Sequence, residues 1–263
     1  MNILMIGDIV GRLGRDAARE KLRSLLGQTP ADLVIANGEN AAGGRGLTAK
    51  IAQELYQMGI DVITLGNHTW DQRDILHIID SDPCLIRPAN YPSAAPGKGY
   101  VIYEIRNRRQ VAVVNLMGRA FMAAVDCPFT AAERILQELP REVKVILVDF
   151  HAEATSEKLA MGWFLDGRVS AVFGTHTHVQ TADERILPKG TAYITDVGMT
   201  GPRDSVLGVQ PGIVVTRFLT QMPARFELVK DGDSQFNGIW MRISDDTGQV
   251  LEITRVNESN KIL

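Results

Sequence analysis

The side chains best suited to chemistry in this chain are four histidines that lie in short polar segments. His68, His151, His176 and His178 are four of five histidines in the sequence, and the fifth, His77, is one polar position on a predicted helix. A single histidine is usually a core or surface residue. Four of five in equivalent segments, together with carboxylates and carboxamides, predict a site for divalent metals of intermediate hardness.

Each polar segment directly follows a short apolar run of the kind that forms strands covered on both faces. The five segments are Gly7-Asp8, Asn37-Gly38-Glu39-Asn40, Gly66-Asn67-His68, Asp149-Phe150-His151 and Gly174-Thr175-His176-Thr177-His178. In an open α/β sheet ligands bind beyond the carboxyl ends of the strands, so these segments are expected to meet. None contains a cysteine, which excludes a zinc site built on thiolates.

The spacing within the last segment favours two metal ions over one. His176 and His178 are two residues apart, so in an extended chain their side chains leave the same side of the backbone. Their imidazoles would then lie about 6–7 Å apart, which suits two ions that are about 3.5–4 Å apart better than a single ion. A carboxylate must bridge two such ions to offset their charge, and Glu39 is the natural candidate.

Strands and helices alternate along much of the chain, which predicts an α/β fold with a largely parallel sheet. Helical spacing of apolar residues occurs at 18–25, 51–58 and 159–163, and a capping-box pattern predicts a helix that starts at Thr130. The apolar runs that predict strands cover residues 3–6, 33–36, 62–65, 145–148 and 170–173.

Antiparallel strands are predicted in two further regions. Residues 100–103 and 111–114 flank a polar, basic turn and are predicted to form a hairpin. The tail has the same character, with predicted strands at 225–230, 237–244 and 249–256. We therefore expect two sheets packed together, with helices on the outside.

The composition excludes several classes of protein. The 263 residues carry 28 Lys and Arg against 31 Asp and Glu, a formal net charge of −3, and 45% of them are hydrophobic. This excludes a disordered chain and argues against a polybasic nucleic-acid binder. No run approaches the roughly 18 apolar residues of a transmembrane helix, and the N-terminus lacks a basic leader. We expect one domain over residues 1–263, in the cytoplasm, with Cys84 and Cys127 as reduced thiols.

Together the polar segments resemble the ordered sequence blocks of the calcineurin-like metallophosphoesterases, and in particular their YmdB-like branch. Val10 stands where the wider superfamily has a histidine, and Glu39 stands where it has a bridging aspartate; the YmdB-like branch shares both departures. The stretches that resemble this branch are Asn37-Gly38-Glu39-Asn40-Ala41, Gly66-Asn67-His68-Thr69-Trp70-Asp71, Arg87-Pro88-Ala89-Asn90 and Gly201-Pro202-Arg203-Asp204.

The resemblance implies a four-layer α/β/β/α sandwich and seven metal ligands in two groups that share one residue. The implied metals are iron or manganese, with zinc as an option in vitro, because mixed nitrogen and oxygen ligands select by availability as well as affinity. The two groups of ligands are Asp8, Glu39, Asn40 and His178 for one ion, and Glu39, Asn67, His151 and His176 for the other.

A mechanism follows from such a site. Two cations would acidify a shared water, and the bridging hydroxide would attack a phosphodiester. His68 follows the ligand Asn67 without being a ligand itself, so it is the candidate general acid for the leaving oxygen. The resemblance implies 2′,3′-cyclic nucleotides as the substrates, hydrolysed to nucleoside monophosphates.

Several alternatives stay open on the sequence alone. The protein could be a related metallohydrolase that acts on RNA ends or phosphomonoesters, or a regulatory scaffold that retains the metal site. Residues 43–46 either bring a backbone loop to a phosphate or form a tight turn before a helix near Thr48. The apolar segment 117–129 either packs into the core or makes a subunit contact in a homo-oligomer.

Overall fold

Two β-sheets lie face to face at the centre of the computed structural model, which describes residues 1–260. The strands of these residues are β1 (Asn2–Ile6), β2 (Asp8–Ile9), β3 (Leu33–Asn37), β4 (Val62–Thr64), β5 (Leu85–Ile86), β6 (Tyr100–Glu104), β7 (Gln110–Met117), β8 (Val145–His151), β9 (Ala171–Thr175), β10 (Arg185–Ile186), β11 (Ala192–Ile194), β12 (Met199–Pro202), β13 (Ser234–Ile243) and β14 (Val250–Asn260). The helices are α1 (Gly11–Gln28), α2 (Ala49–Gln57), α3 (Pro128–Glu138), α4 (Thr155–Leu165) and α5 (Pro211–Thr220), with 3₁₀ turns at Arg73–His77 and Arg106–Arg108.

The first sheet has the strand order β2-β12-β13-β1-β3-β4-β5, and β14 also pairs with β13. Strands β1, β3, β4 and β5 run parallel, as their short apolar runs predict. Strand β13 pairs antiparallel with both β1 and β14, so the tail closes this sheet as a hairpin. The carboxyl ends of β1, β3 and β4 consequently lie at the same edge.

The second sheet has the strand order β10-β11-β9-β8-β7-β6. Its four central strands are parallel, and β6 forms with β7 the hairpin predicted from the sequence. The carboxyl ends of β8 and β9 carry the remaining histidine segments.

Apolar side chains form three layers around the two sheets. Ile35 of the first sheet and Leu147 of the second belong to one core that lies between the sheets. Helices α1 and α2 pack on the outer face of the first sheet, where Leu22 is fully buried. Helices α3 and α4 cover the outer face of the second sheet through Ile135 and Met161. The α/β/β/α sandwich is thereby confirmed.

Two predicted elements are wrong. Residues 225–230 form no strand, because this segment returns from α5 and pairs only at Leu228, in an isolated bridge to Val209. Helix α3 starts at Pro128 and not at Thr130. Proline has its φ angle fixed near the helical value and suits the first helical position, so Thr130 lies inside the first turn.

The described part of the chain contains no helix that is long and apolar enough to cross a membrane. Cys84 and Cys127 are both free thiols, as expected. The expectation of a single domain over 1–263 stays a prediction, and residues 261–263 lie outside the described residues. The core shared by the two sheets supports it.

Candidate metal centre

The seven predicted ligands form one connected group where strand ends of the two sheets meet. From the first sheet, β1 leads to Asp8, β3 to Glu39 and Asn40, and β4 to Asn67. From the second sheet, His151 ends β8, and the segment after β9 supplies the other two histidines. Both sheets therefore position the candidate site, and neither could form it alone.

His151 lies at the centre of the first group of ligands. Its Nε2 atom lies 2.9 Å from Glu39 Oε1, 3.0 Å from Asn67 Oδ1 and 3.1 Å from His176 Nδ1. Glu39 and His151 are buried, while Asn67 and His176 are half-buried. These four residues are the ones that the resemblance assigns to one ion.

The second group surrounds His178. Its Nε2 atom lies 3.3 Å from Asn40 Oδ1 and 3.9 Å from Asp8 Oδ1. The other carboxylate oxygen of Asp8 accepts a hydrogen bond from the backbone N–H of His176 at 3.2 Å. Asp8 therefore contacts both His176 and His178, in the segment that follows β9.

The turn at residues 43–46 holds Asn40 in place. The Asn40 Nδ2 atom donates to the Gly44 carbonyl at 3.0 Å, and the Gly44 N–H donates to the Asn40 carbonyl at the same distance. These bonds leave Asn40 Oδ1 directed at His178. The next helix begins after Thr48, whose side chain accepts from the Ile51 N–H. The contacts favour the tight-turn interpretation of this segment.

The outer nitrogen of His151 is bound by a chain of buried polar groups. Nδ1 lies 2.9 Å from Thr175 Oγ1, and this hydroxyl donates to Asp149 Oδ1 at 2.7 Å. Asp149 also accepts from Thr64 and Asn37. Because the Thr175 proton goes to Asp149, Thr175 Oγ1 is placed to accept from His151 Nδ1. Once His151 gives up its other proton, Nε2 can offer a lone pair to the centre, as second-shell partners of metal-binding histidines commonly arrange.

The other two histidines follow the same rule. His176 Nε2 lies 3.1 Å from Glu153 Oε2, which leaves Nδ1 to face His151. His178 Nδ1 lies 3.3 Å from the Leu207 carbonyl oxygen, which can only accept, so Nε2 is the free nitrogen. Each ring thus has its outer nitrogen occupied. The inner nitrogens of His151 and His178 face carboxylate and carboxamide oxygens, and the inner nitrogen of His176 faces His151.

A buried ion pair fixes the loop that carries these two histidines. Lys158 Nζ donates to Asp196 Oδ2 at 2.6 Å, and both side chains are almost fully buried. The same Asp196 oxygen accepts from the Thr177 N–H at 3.0 Å and from its hydroxyl at 2.7 Å. Asp196 therefore clamps the residue that lies between His176 and His178.

The segment from His176 to His178 was expected to be extended, and its backbone is not. His176 has φ 100° and His178 has φ 65°, both in the left-handed region that favours glycine. Such conformations cost roughly 1–3 kcal/mol each and persist where the surroundings over-determine them. The clamp at Asp196 provides that constraint. The two histidines reach different ligand groups because the loop turns between them.

The first group of ligands can form because Gly66 has no side chain. A Cβ atom at this position would lie 2.3–2.4 Å from the His151 ring and 2.5 Å from Glu39 Oε2. Contacts that short are not tolerated, so any side chain at position 66 would displace Glu39 or His151. The glycine that precedes Asn67 is explained by this close approach.

The buried charges shift one another's pKa values. Burial alone would raise the pKa of Glu39, but the charge of His151 and its hydrogen bond lower that pKa to about 2. Burial alone would lower the pKa of His151, but Glu39 and Asp8 raise it to about 9. Burial raises the pKa of Asp8 well above its usual value, and burial beside His151 lowers the pKa of His176 to about 3. The buried carboxyl groups of the site therefore favour a bound cation.

His68 is placed differently from the seven ligands. Its backbone N–H donates to Glu39 Oε2 at 2.8 Å, while its ring turns away and its Nδ1 atom lies 2.9 Å from Asp71 Oδ2. The Asp71 carboxylate accepts from Nδ1, so Nε2 is left to contact another group. The His68 ring is 23% exposed and so remains reachable from solvent.

These observations fit bound divalent cations. Glu39, His151 and His176 each place a possible ligand atom within 4.8 Å of the other two. Asp8 Oδ1 is buried and has no hydrogen-bond partner, although a buried carboxylate oxygen normally requires one. A cation shared with Asn40 and His178 would satisfy it, and the mixed set of nitrogen and oxygen donors suits a transition metal.

Comparison with known proteins agrees with this geometry. A family model described as YmdB-like protein matches residues 4–256. The chain belongs to this family. The resemblance inferred from the polar segments is therefore confirmed over nearly the whole length of the chain.

Individual proteins and solved structures are also similar to this chain. The chain is 52% identical to the 2′,3′-cyclic-nucleotide 2′-phosphodiesterase of Bacillus subtilis, over 97% of this chain and 96% of that protein. A hypothetical protein from Thermus thermophilus matches with a TM-score of 0.92 at 41% identity, over 98% and 99% of the two chains. A novel phosphatase from Mycoplasma pneumoniae matches with a TM-score of 0.93 at 35% identity, over 99% and 94%.

Sequence reasoning missed the residues that support the ligands. Asp71 could have been found, because it lies three residues after His68 in the same turn. Thr175 stands inside a segment already singled out. Nothing in the sequence indicates that Lys158 is buried, since its charge on a helix is typical of a solvated face. Its pairing with Asp196 depends on tertiary structure alone.

Proposed function

We propose that this chain is a metal-dependent phosphodiesterase that hydrolyses 2′,3′-cyclic nucleotides to nucleoside monophosphates. The observation that carries the proposal is the convergence of five of the seven proposed ligands on the inner nitrogens of the other two, His151 and His178. The 52% identity to a relative of that named activity, over 97% of the chain, supports the choice of substrate.

Two ions would be held by the two groups of residues. Asp8, Glu39, Asn40 and His178 would bind one, and Glu39, Asn67, His151 and His176 the other, with iron or manganese as the metals and zinc as an option in vitro. Divalent ions supply hydroxide near neutral pH and offset the charge of a phosphate. A proton on His151 must leave before a cation can bind to its Nε2, so metal binding is expected to release protons.

His68 would protonate the leaving oxygen. Hydrolysis adds water across one P–O bond, so the departing ribose oxygen must gain a proton as that bond breaks. The backbone N–H of His68 contacts Glu39, so this residue lies beside the proposed ligands, and its ring is 23% exposed to solvent. Asp71 holds Nδ1 and thereby directs Nε2 outwards. A positioned acid of this kind typically contributes 10²–10⁴-fold to a rate.

The 2′ oxygen is the proposed leaving group. The Bacillus subtilis relative is named as a 2′-phosphodiesterase, and the same choice here would give a 3′-monophosphate. Small nucleotides are the proposed partners, with RNA as a further substrate class. The two free thiols support a reducing compartment, and we propose the cytoplasm.

A direct test compares three substrates on one metal-loaded preparation: a 2′,3′-cyclic nucleotide, a linear dinucleotide and a 3′-monophosphate. We expect the cyclic substrate to have the highest kcat/KM and to yield the 3′-monophosphate. A higher kcat/KM for the linear dinucleotide or for the monophosphate would favour the related hydrolase instead. Absence of turnover on all three, with metal bound, would favour a regulatory scaffold.

A further inference from the structure

A side cleft opens between the segment 87–100 and the start of helix α3. It consists of two cavities of about 270 and 340 Å³, which share the wall residues Ala89, Asp126 and Arg134. The larger cavity alone reaches the lower end of the 300–1,000 Å³ that is usual for sites that bind small molecules. None of the proposed metal ligands lines either cavity, so the mechanism above leaves the side cleft unused.

Two contacts place the side cleft next to the candidate metal centre. Tyr91 lines the larger cavity, and its hydroxyl donates to the Gly66 carbonyl at 3.3 Å. Gly66 is the residue against which the His151 ring packs. Asn90 lines the smaller cavity and bonds to both backbone groups of Met117, which pairs with His151 in the second sheet. A substrate held at the metal ions therefore has the side cleft within its reach.

The walls of the side cleft are fixed by polar side chains that are buried. Arg87 is only 6% exposed, and its guanidinium donates to three backbone carbonyls of residues 88–96. Asn90 also donates to the Asp126 carbonyl at 2.9 Å, so it joins this segment to the turn before α3. Largely pre-formed walls of this kind are typical of small-molecule sites.

The chemistry of the side cleft suits a neutral heterocycle. The wall that both cavities share offers the carboxylate of Asp126 and the guanidinium of Arg134. The carboxylate repels an anion and the guanidinium repels a cation, whereas a neutral ligand can use both. Tyr91 and Tyr100 line the larger cavity and supply aromatic surface. A nucleobase is neutral, has donors and acceptors on its edge, and stacks on aromatic side chains.

We propose that the side cleft holds the nucleobase of the substrate while the cyclic phosphate lies at the metal ions. This assignment rests on the proposed function and adds the part of the substrate that decides selectivity. The enzyme then recognises a nucleotide by its base as well as by its phosphate. A cyclic diester without a base keeps the scissile bond and lacks this part of the binding.

Steady-state kinetics of the metal-loaded protein on two cyclic diesters test the proposal. 2′,3′-Cyclic AMP carries a base, whereas glycerol 1,2-cyclic phosphate has the same phosphate ring, charge and alkoxide leaving group without one. We expect Asp126→Ala and Arg134→Ala each to raise KM for the nucleotide about tenfold, because a hydrogen bond to a charged group is lost. The kcat for the nucleotide and both constants for the glycerol compound should stay at their wild-type values.

Arg141→Ala is the matched control for Arg134→Ala. Arg141 is also exposed, and it lies beyond the end of α3 and outside both cavities. This variant removes the same charge, so it should behave as the wild type on both diesters. Because the two diesters carry equal charge, an effect of net charge alone would alter both in the same way.

Alkylation of Cys127 provides a readout that needs no turnover. The Cys127 thiol lines the smaller cavity, and the backbone N–H of Thr130 lowers its pKa, which favours reaction with iodoacetamide. Peptide mass spectrometry follows Cys127 separately from Cys84. We expect adenosine 3′-monophosphate to slow the alkylation of Cys127 several-fold in the wild type and in Arg141→Ala, and less in Arg134→Ala. Inorganic phosphate should not slow it.

The two experiments separate the side cleft from the proposed function. Unchanged KM values in both cleft variants would overturn the assignment, as would equal losses on the two diesters. Absence of protection by adenosine 3′-monophosphate would overturn it too, and protection by inorganic phosphate would assign the cleft to an anion instead. Lack of turnover on both diesters would contradict the proposed function, and protection of Cys127 would still decide whether the cleft binds a base.

Discussion

Replacing His68 separates proton transfer from metal binding, because the structure links this residue to Glu39 through the backbone only. The His68 N–H donates to Glu39 Oε2 at 2.8 Å, and alanine keeps that N–H. The ring contacts Asp71 and none of the seven proposed ligands among the contacts described above. We therefore expect His68→Ala to retain the wild-type metal content.

The expected loss of turnover is large. A general acid contributes roughly 10²–10⁴-fold, which corresponds to about 3–5 kcal/mol of transition-state stabilisation. Asp71→Asn should cost much less. The side chains of His68 and Asp71 are 23% and 38% exposed, and pairs this accessible are worth at most about 1 kcal/mol, or about fivefold in rate.

The assay compares two leaving groups on the same His68→Ala preparation. A ribose oxygen needs a proton to depart, so a 2′,3′-cyclic nucleotide should show the full loss. A nitrophenolate departs without a proton, so a bis-nitrophenyl phosphate should lose much less. Metal content is measured on the same sample. Equal losses on the two substrates, or loss of metal, would refute the general-acid role and indicate that His68 only positions Asn67.

Three further outcomes follow from the site. Glu39→Gln should reduce turnover by orders of magnitude while circular dichroism shows an intact fold, and near-normal turnover would exclude Glu39 as the bridge. Thr177→Val removes one of the donors to buried Asp196, at a cost of about 1–3 kcal/mol. Chelator competition should then show weaker metal binding, whereas the exposed control Thr216→Val should bind metal as the wild type does. Metal-free protein should melt at lower temperature as the pH rises from 6.5 through about 9. The folded-state pKa of His151 is raised to about 9, so the stabilisation from its positive charge is lost over that range. A melting temperature that does not change over this range would contradict the prediction.

The layers of the fold and the segments that meet were predictable from local pattern. A short apolar run followed by polar residues marks the carboxyl end of a buried strand, and β1, β3, β4, β8 and β9 all show this pattern. The strand predicted at residues 225–230 does not form, because apolar residues in a segment that returns from a helix resemble a strand when no partner strand is known. Strand pairing is a tertiary property.

The residues that form the candidate site were easier to predict from the sequence than their geometry. The left-handed backbone at His176 and His178 is imposed by Asp196, which lies about twenty residues away in the sequence. The partners that fix the tautomers, such as Thr175 and the Leu207 carbonyl, are distant or belong to the backbone. Residue types identify possible ligands, whereas packing decides which nitrogen of each ring faces the centre.

A metal titration of the chelated protein tests the central claim most directly. Metal-free enzyme is titrated with manganese or iron(II), and bound metal and hydrolysis of a 2′,3′-cyclic nucleotide are measured at each addition. With seven ligands in two groups that share Glu39, we expect binding to saturate at two ions per chain, and full activity only at that stoichiometry. Saturation at one ion per chain with full activity would contradict a dinuclear centre.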